Sequence, residues 1–292
     1  MFENLLIHPR TRRQLEQFIA KPSHGLILTG PEGSGKKALA HTIAAALLNV
    51  DSNKLENYPY YTLTNPEDPS ITIDEIRTLQ KLLTLKTPAV KGLNIRRVLT
   101  IIDAGRMRFE AQNAFLKSLE EPPTDTCIIL TAEANGDLLE TIYSRVQRID
   151  ILPVSEAAAK DFYGKKGVTA SELARNYALS QGQAGLLSSL LKAETEQPLK
   201  EWVETAKQLL SKPASERILQ TDSISKDKVG IILLLDALAR IAHAALVQAS
   251  KADSGAAIKR WKNSLESIQA AREAMTHNAN TKLLVDHLLL SI

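Results

Sequence analysis

GLILTGPEGSGKKALAHTIAAALLN, Gly25 to Asn49, joins three segments of different character. Its start is a short apolar run that ends in glycine, as a buried parallel strand does. Its second half has the spacing and composition of a helix. The glycine-rich loop between them nearly matches the phosphate-binding pattern G-x-x-x-x-G-K-[ST]. This order predicts an α/β domain with a phosphate loop at the end of its first strand.

The loop predicts a site for ATP or ADP. Gly30, Gly35 and Lys36 stand at the motif positions, but Lys37 stands where the pattern has a serine or threonine. Backbone N–H groups and a helix N-terminus attract phosphate, and Lys36 can reach the β- and γ-phosphates. A glycine turn with a surface lysine is the alternative. The predicted contact residues are Gly30, Gly33, Ser34, Gly35, Lys36, Lys37 and Asp103.

Groups that hydrolysis requires are missing around this loop. Lys37 lacks the hydroxyl that would ligate Mg²⁺. The segment LTIIDAGRM supplies Asp103 after a second strand, but Ala104 stands where a water-activating glutamate usually follows. Losing such groups removes transition-state stabilisation. The sequence therefore predicts weak dependence on Mg²⁺ and little turnover in the chain's own site.

Composition excludes several classes of protein. The 36 basic and 33 acidic residues give a net charge of +3, which is not the bias of a dedicated nucleic-acid binder. A single cysteine, Cys127, excludes an internal disulfide or a tetrahedral cysteine zinc site. The N-terminus has no secretory apolar region, and no apolar run is expected to approach the length of a membrane span. We therefore expect a cytoplasmic protein.

Four apolar strand patterns, GLILTG, RVLTIID, CIILTA and QRIDIL, alternate with helical ones, which predicts a parallel sheet covered on both faces. Thr72 and Glu75 form a capping box before one helix, and Ser180 and Gln183 are predicted to form another. After Pro153 only helical patterns remain. We expect an α/β domain at residues 1–154, a small helical lid at 155–195 and a helical C-terminal domain at 196–292.

One motif makes the chain look familiar. The segment DAGRMRFEAQNAFLKSLEEPP, Asp103 to Pro123, resembles AAA+ subunits of bacterial DNA polymerase III clamp loaders, closest to the delta-prime type. ITIDEIRTLQKLL and the C-terminal AREAMTHNANTKLLVDHLLLSI are also similar to that family. The resemblance implies an AAA+ domain, a lid and a collar. It also implies a hetero-pentameric ring with motor and delta-like subunits, which loads the sliding clamp onto primer–template DNA.

Departures from the family pattern sharpen this expectation. The family's four-cysteine zinc module has no counterpart here, so no metal is expected. Gly185 stands where motor subunits carry a phosphate-sensing arginine. Arg145, in Ser144-Arg145-Val146, keeps the arginine of the family's Ser-Arg-Cys motif. The resemblance implies that Arg145 is an arginine finger for a neighbour's site; a structural salt bridge or a solvated helix end is the alternative.

Three functions follow from these residues. The preferred one is a hydrolysis-deficient, delta-prime-like stator that supplies Arg145 in trans. An ATP-hydrolysing motor subunit of the gamma or tau type is one alternative, and Ala104, Gly185 and the missing zinc cysteines count against it. A free-standing P-loop kinase or regulatory ATPase is another; it would need a substrate pocket and its own acidic base.

Overall fold

The computed structural model describes residues 2–64, 70–89, 92, 94–133, 138–191, 198–277 and 279–292. The chain divides into two compact units. The first comprises Met1–Ala158 and Gln183–Gly185, and the second comprises Ala159–Gly182 and Leu186–Ile292. The predicted lid–collar boundary at 195–196 lies outside the described residues, and the three-domain division stays a prediction.

The first unit is built on a five-stranded parallel sheet. In chain order the strands are β1 (Gly25–Thr29), β2 (Tyr61–Thr64), β3 (Arg97–Ile101), β4 (Thr126–Ala132) and β5 (Gln147–Asp150). They are arranged β2-β3-β4-β1-β5. The helices between them are α1 (Pro9–Ala20), α2 (Lys36–Leu48), α3 (Ile73–Thr84), α4 (Phe109–Glu120) and α5 (Glu140–Tyr143), with short 3₁₀ turns at Ser52–Asn57 and Ala104–Arg106.

Successive side chains of a strand point to opposite faces, and both faces of this sheet are covered. On β1, Leu26 and Leu28 belong to one apolar cluster, which also contains Phe18 of α1. Ile27 belongs to a second cluster, with Phe115 of α4. The predicted parallel sheet with helices on both faces is confirmed.

The strand β2 was not among the predicted strands. It is the edge strand and pairs in parallel with β3, with Tyr61 opposite Val98 and Thr64 opposite Ile101. Only Tyr61 of its four residues is buried. An edge strand has a neighbouring strand on one side only, so its side chains are less completely covered than those of a central strand. This segment therefore lacks the continuous apolar run that marks the central strands.

The helices that follow along the described chain carry the rest of the fold. They are α6 (Glu156–Gly164), α7 (Ala170–Ser180), α8 (Ala184–Leu191), α9 (Pro198–Ser211), α10 (Ala214–Ile218), α11 (Thr221–Ile224), α12 (Lys228–Lys251), α13 (Gly255–Thr276) and α14 (Thr281–Ser291). Val203, Leu234, Leu238, Ile268 and Leu288 pack into one core of the second unit. The predicted helical C-terminal part is confirmed.

One helix among the described residues, α12, is long and apolar enough to cross a membrane by length and composition. The expectation that no segment reaches that length was wrong in this respect. Half of the most apolar window of α12 is buried inside the structure. A core helix of a soluble protein meets the same criterion, and Leu234 and Leu238 of α12 are buried in the core of the second unit.

Candidate functional site

The phosphate loop lies between β1, which ends at Thr29, and α2, which begins at Lys36. The Gly30 N–H donates to the carbonyl of Ala132 on β4 at 3.2 Å, which anchors the start of the loop to the sheet. Gly35 has φ 96° at the helix N-cap. That left-handed conformation is costly for residues with a Cβ. The strand, loop and helix stand in the predicted order.

Lys36 is buried within the loop that it follows. Its Nζ donates to the carbonyl oxygens of Gly30 at 2.7 Å and Pro31 at 3.0 Å. The Ser34 Oγ is buried without a hydrogen-bond partner in the described part of the chain. A buried hydroxyl of this kind is costly unless it is satisfied. A bound phosphate would therefore replace loop carbonyls as the partner of Lys36, and the Ser34 hydroxyl can donate to it.

Lys37 and the end of β3 provide little for a metal. Lys37 is exposed in the first turn of α2. Asp103 has φ 49°, and its backbone N–H donates to Thr131 Oγ1 on β4 at 2.9 Å. The Asp103 carboxylate lies 3.9 Å from an Arg106 nitrogen, and Ala104 is fully buried. A carboxylate is thus present after β3, but the next side chain is a buried methyl group that cannot activate water.

The segment Gln183–Gly185 of the first unit lies against the loop. A Cβ added to Gly185 would lie 2.7 Å from the Gly33 carbonyl oxygen and 2.8 Å from the Gly35 nitrogen. Contacts this short with backbone atoms leave no room for a side chain unless the backbone moves. Sequence comparison identified Gly185 only as the residue in place of an arginine. No signal in the sequence indicates its contact with the loop.

Arg145 follows α5 and makes contacts within its own chain. Its Nη2 donates to Glu120 Oε1 at 2.7 Å, and its Nη1 donates to the Thr141 carbonyl at 2.9 Å and to Ser144 Oγ at 3.2 Å. These partners lie outside the phosphate loop. The side chains of Arg145 and Glu120 are 33% and 48% exposed. Within the single chain, Arg145 thus forms the salt bridge that was the alternative interpretation. Both side chains of this pair remain partly exposed to solvent.

Glu120 is a residue that the sequence interpretation did not single out. It is the last residue of α4 and belongs to the LEEPP segment that carries the family resemblance. The motif was informative about relationship, and nothing in its spacing connects Glu120 with an arginine 25 residues later. The pairing depends on the packing of α4 against α5.

The family model described as "DNA polymerase III, delta subunit" matches residues 7–155, which is slightly more than half of the 292 residues. The chain belongs to this family. The matched region contains the phosphate loop, Asp103, the LEEPP segment and Arg145. The predicted family relationship is confirmed.

Two relatives are subunits of DNA polymerase III. The chain is similar to DNA polymerase III subunit delta′ of Pseudomonas aeruginosa, with 35% identity over 156 residues, or 48% of this chain and 46% of that protein. It is also similar to DNA polymerase III subunit delta′ of Bacillus subtilis, with 32% identity over 171 residues, or 53% and 50% of the two chains. The chain spans about half the length of the curated relatives that it matches.

A solved structure shows the same fold over nearly the whole chain. It is a DNA polymerase III gamma subunit-related protein from Thermotoga maritima. The TM-score is 0.57 at 21% identity, and the match covers 95% of this chain and 96% of that one. At this identity the likeness concerns the fold alone, a parallel-sheet α/β unit followed by a helical C-terminal part.

Proposed function

We propose that this chain is a delta-prime-type subunit of a DNA polymerase III clamp loader. In this role it completes the ATP site of a neighbouring subunit with Arg145 and turns over little ATP itself. One observation supports the proposal above the others. The chain's own loop has an exposed lysine in place of the metal-binding hydroxyl and a buried alanine after Asp103, while Arg145 remains solvent-accessible.

The chain's own site is proposed to bind ATP or ADP without efficient hydrolysis. Lys36 and the loop amides can hold phosphate oxygens. With no hydroxyl at position 37, Asp103 is the remaining metal-binding group predicted from the sequence. A metal held by fewer ligands contributes less to the charge neutralisation that phosphoryl transfer requires.

The trans role of Arg145 is energetically accessible. An arginine finger contributes roughly 10³-fold or more to turnover, or about 4 kcal/mol. An exposed ion pair such as that with Glu120 contributes about 0.2–1 kcal/mol. The gain at a neighbour's transferring phosphate exceeds the loss of the internal pair, so Arg145 can exchange one partner for the other.

The partners of this role are those of the proposed complex. Motor and delta-like subunits would form a hetero-pentameric ring with this chain, and the ring would act on a sliding clamp and primer–template DNA. The surface is of mixed charge, with a net charge of +3. This balance fits a subunit that meets DNA through its complex and not through a strongly basic surface of its own.

Reconstitution of the complex with Arg145→Ala and Arg145→Lys tests the proposal. Both variants are expected to assemble on size exclusion and to slow ATP hydrolysis stimulated by clamp and DNA. Lysine is expected to fail because it cannot present a planar fork to phosphate oxygens. The affected site loses roughly 10³-fold or more, and the whole complex loses the share of turnover contributed by that site.

Two outcomes would overturn the assignment of Arg145. Wild-type turnover by both variants would show that it is not a finger. Unfolding or failure to assemble would favour a structural role for its salt bridge. Failure of the wild-type chain itself to join the complex would overturn the clamp-loader role as a whole.

A further inference from the structure

The C-terminal end of α4 carries two carboxylates, with Lys117 one turn before them. The helix ends at Glu120, and Glu121 is its C-cap. The carbonyl groups of a last helical turn carry partial negative charge, so carboxylates are unfavourable there and cations are favourable. Arg145 brings a cation to this end from outside the helix, with its Nη2 at 2.7 Å from Glu120 Oε1.

Both terminal nitrogens of Arg145 are engaged within the chain. Nη2 donates to Glu120, and Nη1 donates to Thr141 and Ser144. Among the described residues, Glu120 is the acidic residue that forms an ion pair with Arg145. Arginine grips phosphate through paired N–H groups of its planar fork. The fork must therefore release at least part of this cis arrangement before it can hold a phosphate on another subunit.

We propose that Glu120 is a positioning residue that holds Arg145 in cis until the charge that develops on a transferring phosphate of the neighbouring subunit displaces it in the transition state. The inference rests on the proposed trans role of Arg145. Glu120 acts as an exchangeable counter-ion: the guanidinium stays paired with it in the free chain and in the ground state, and the transferring phosphate replaces the carboxylate in the transition state. Glu120 touches neither nucleotide nor metal in this scheme, and acts through Arg145.

The solvent exposure of the pair determines the size of the effect. The pair is partly exposed, with 33% of the Arg145 side chain and 48% of the Glu120 side chain accessible. Exposed ion pairs of this kind change an equilibrium constant by roughly 1.5- to 5-fold. Releasing Arg145 from Glu120 should therefore favour engagement of the neighbour by this factor. Since the finger acts on charge that develops in the transition state, the gain is expected in kcat and not in KM.

Glu121 provides a matched control. It lies at the same helix end as Glu120 and is exposed, but the described part of the chain shows no ion pair to it. Glu121→Gln removes the same charge from the same end of α4 and leaves the Glu120–Arg145 contact in place. A general electrostatic effect of the helix end would change the ATP turnover of both variants, whereas the loss of a specific counter-ion would change the turnover of Glu120→Gln alone.

The experiment measures ATP turnover of the reconstituted complex with Glu120→Gln, Glu120→Ala and Glu121→Gln, each with Arg145 intact and with Arg145→Ala. The rate that remains with Arg145→Ala comes from the other sites, so its difference from the wild-type rate is the Arg145-dependent rate. Glu120→Gln and Glu120→Ala are expected to raise the Arg145-dependent kcat roughly 1.5- to 5-fold at unchanged KM. Glu121→Gln should give the wild-type kcat. In chains that also carry Arg145→Ala, the Glu120 variants should not change turnover.

Each other result overturns the inference. An unchanged or lower kcat with both Glu120 variants would mean that Glu120 does not compete for the arginine. An equal gain with Glu121→Gln, or a gain that persists beside Arg145→Ala, would assign the effect to the charge of the helix end. If Arg145→Ala alone leaves turnover unchanged, the proposed function fails and this inference fails with it. A slow Arg145→Ala complex without a gain from Glu120→Gln overturns the inference alone.

Discussion

Gly185 shows how close backbone packing limits which side chain can stand next to the phosphate loop. Its backbone lies so close to the loop that an added Cβ would meet backbone atoms of Gly33 and Gly35 at 2.7–2.8 Å. The family resemblance implies that a motor subunit has an arginine at this position. A side chain as large as arginine requires the segment and the loop to separate. The absence of the phosphate-sensing arginine and the close packing of the loop are thus two consequences of one glycine.

Gly185→Ala is expected to destabilise the chain by about 1–3 kcal/mol, because the new methyl group meets rigid backbone. Gly255→Ala is the control: Gly255 opens α13, and a Cβ there meets nothing within 4 Å. Alanine in a helix should leave stability unchanged or raise it by up to about 1 kcal/mol. Urea unfolding of both variants measures the difference. Equal stability of the two variants would contradict the close contact.

Lys36 and Lys37 are predicted to affect different properties of the loop, namely phosphate binding and metal binding. Lys36 is buried against loop carbonyls and is the predicted phosphate ligand, whereas Lys37 is exposed at the position of the metal-binding hydroxyl. We expect ATP to bind the purified chain with an affinity that changes little when EDTA removes Mg²⁺. Calorimetric titration with and without chelator is the measurement. A large loss of affinity on chelation would mean that Asp103 or another group holds the metal.

Helix starts illustrate which elements the sequence predicts well. Thr72 and Glu75 form the predicted capping box at the start of α3, with side chain and backbone bonded reciprocally. The box predicted at Ser180 and Gln183 was wrong: Ser180 is the last residue of α7, and its hydroxyl donates to the Tyr177 carbonyl. The same kind of local pattern occurs at a helix start in one place and at a helix end in another. The pattern alone does not show where the preceding helix ends, so it cannot distinguish the two cases.

Thr72→Ala is expected to lower the free energy of unfolding by about 1 kcal/mol, the usual cost of removing an N-cap side chain. The Thr72 side chain accepts from the Glu75 N–H, and alanine leaves that donor without its cap. Thr72→Ser keeps the hydroxyl and should stay close to wild type. Denaturant unfolding is the measurement, and the slope of the unfolding free energy against denaturant concentration should be the same for all variants. Equal losses from alanine and serine would show that the cap contributes nothing specific.

The same box makes part of the stability depend on pH. Hydrogen bonds from the Thr72 backbone N–H and hydroxyl lower the pKa of the Glu75 carboxyl. A carboxyl whose pKa is lowered by folding stabilises the fold above its unfolded pKa of about 4.3, and this contribution is lost as the pH falls through the lower folded value. The stability difference between wild type and Glu75→Gln should therefore shrink below about pH 4. A difference that is constant from pH 7 to pH 3 would contradict the role of the charge.

At the scale of the whole molecule, periodic patterns predicted the architecture, and packing determined the contacts. The central strands and the helical C-terminal part were predictable because their apolar spacing is strong, and the phosphate loop was predictable from the positions of its glycines and Lys36. The edge strand β2 was not, since three of its four residues are only partly buried. Neither the Glu120–Arg145 pair nor the contact of Gly185 with the loop follows from spacing. Both join residues distant in sequence, so they require the packed structure.

The central claim is that this chain contributes to a neighbour's ATP site and not through turnover in its own. Its most direct test is ATP hydrolysis by the reconstituted complex with either Lys36→Ala or Arg145→Ala in this subunit, after size exclusion confirms that both assemble. The claim predicts near wild-type turnover with Lys36→Ala and a marked loss with Arg145→Ala. Loss of turnover with Lys36→Ala, together with wild-type turnover with Arg145→Ala, would contradict it and identify the chain as a motor subunit.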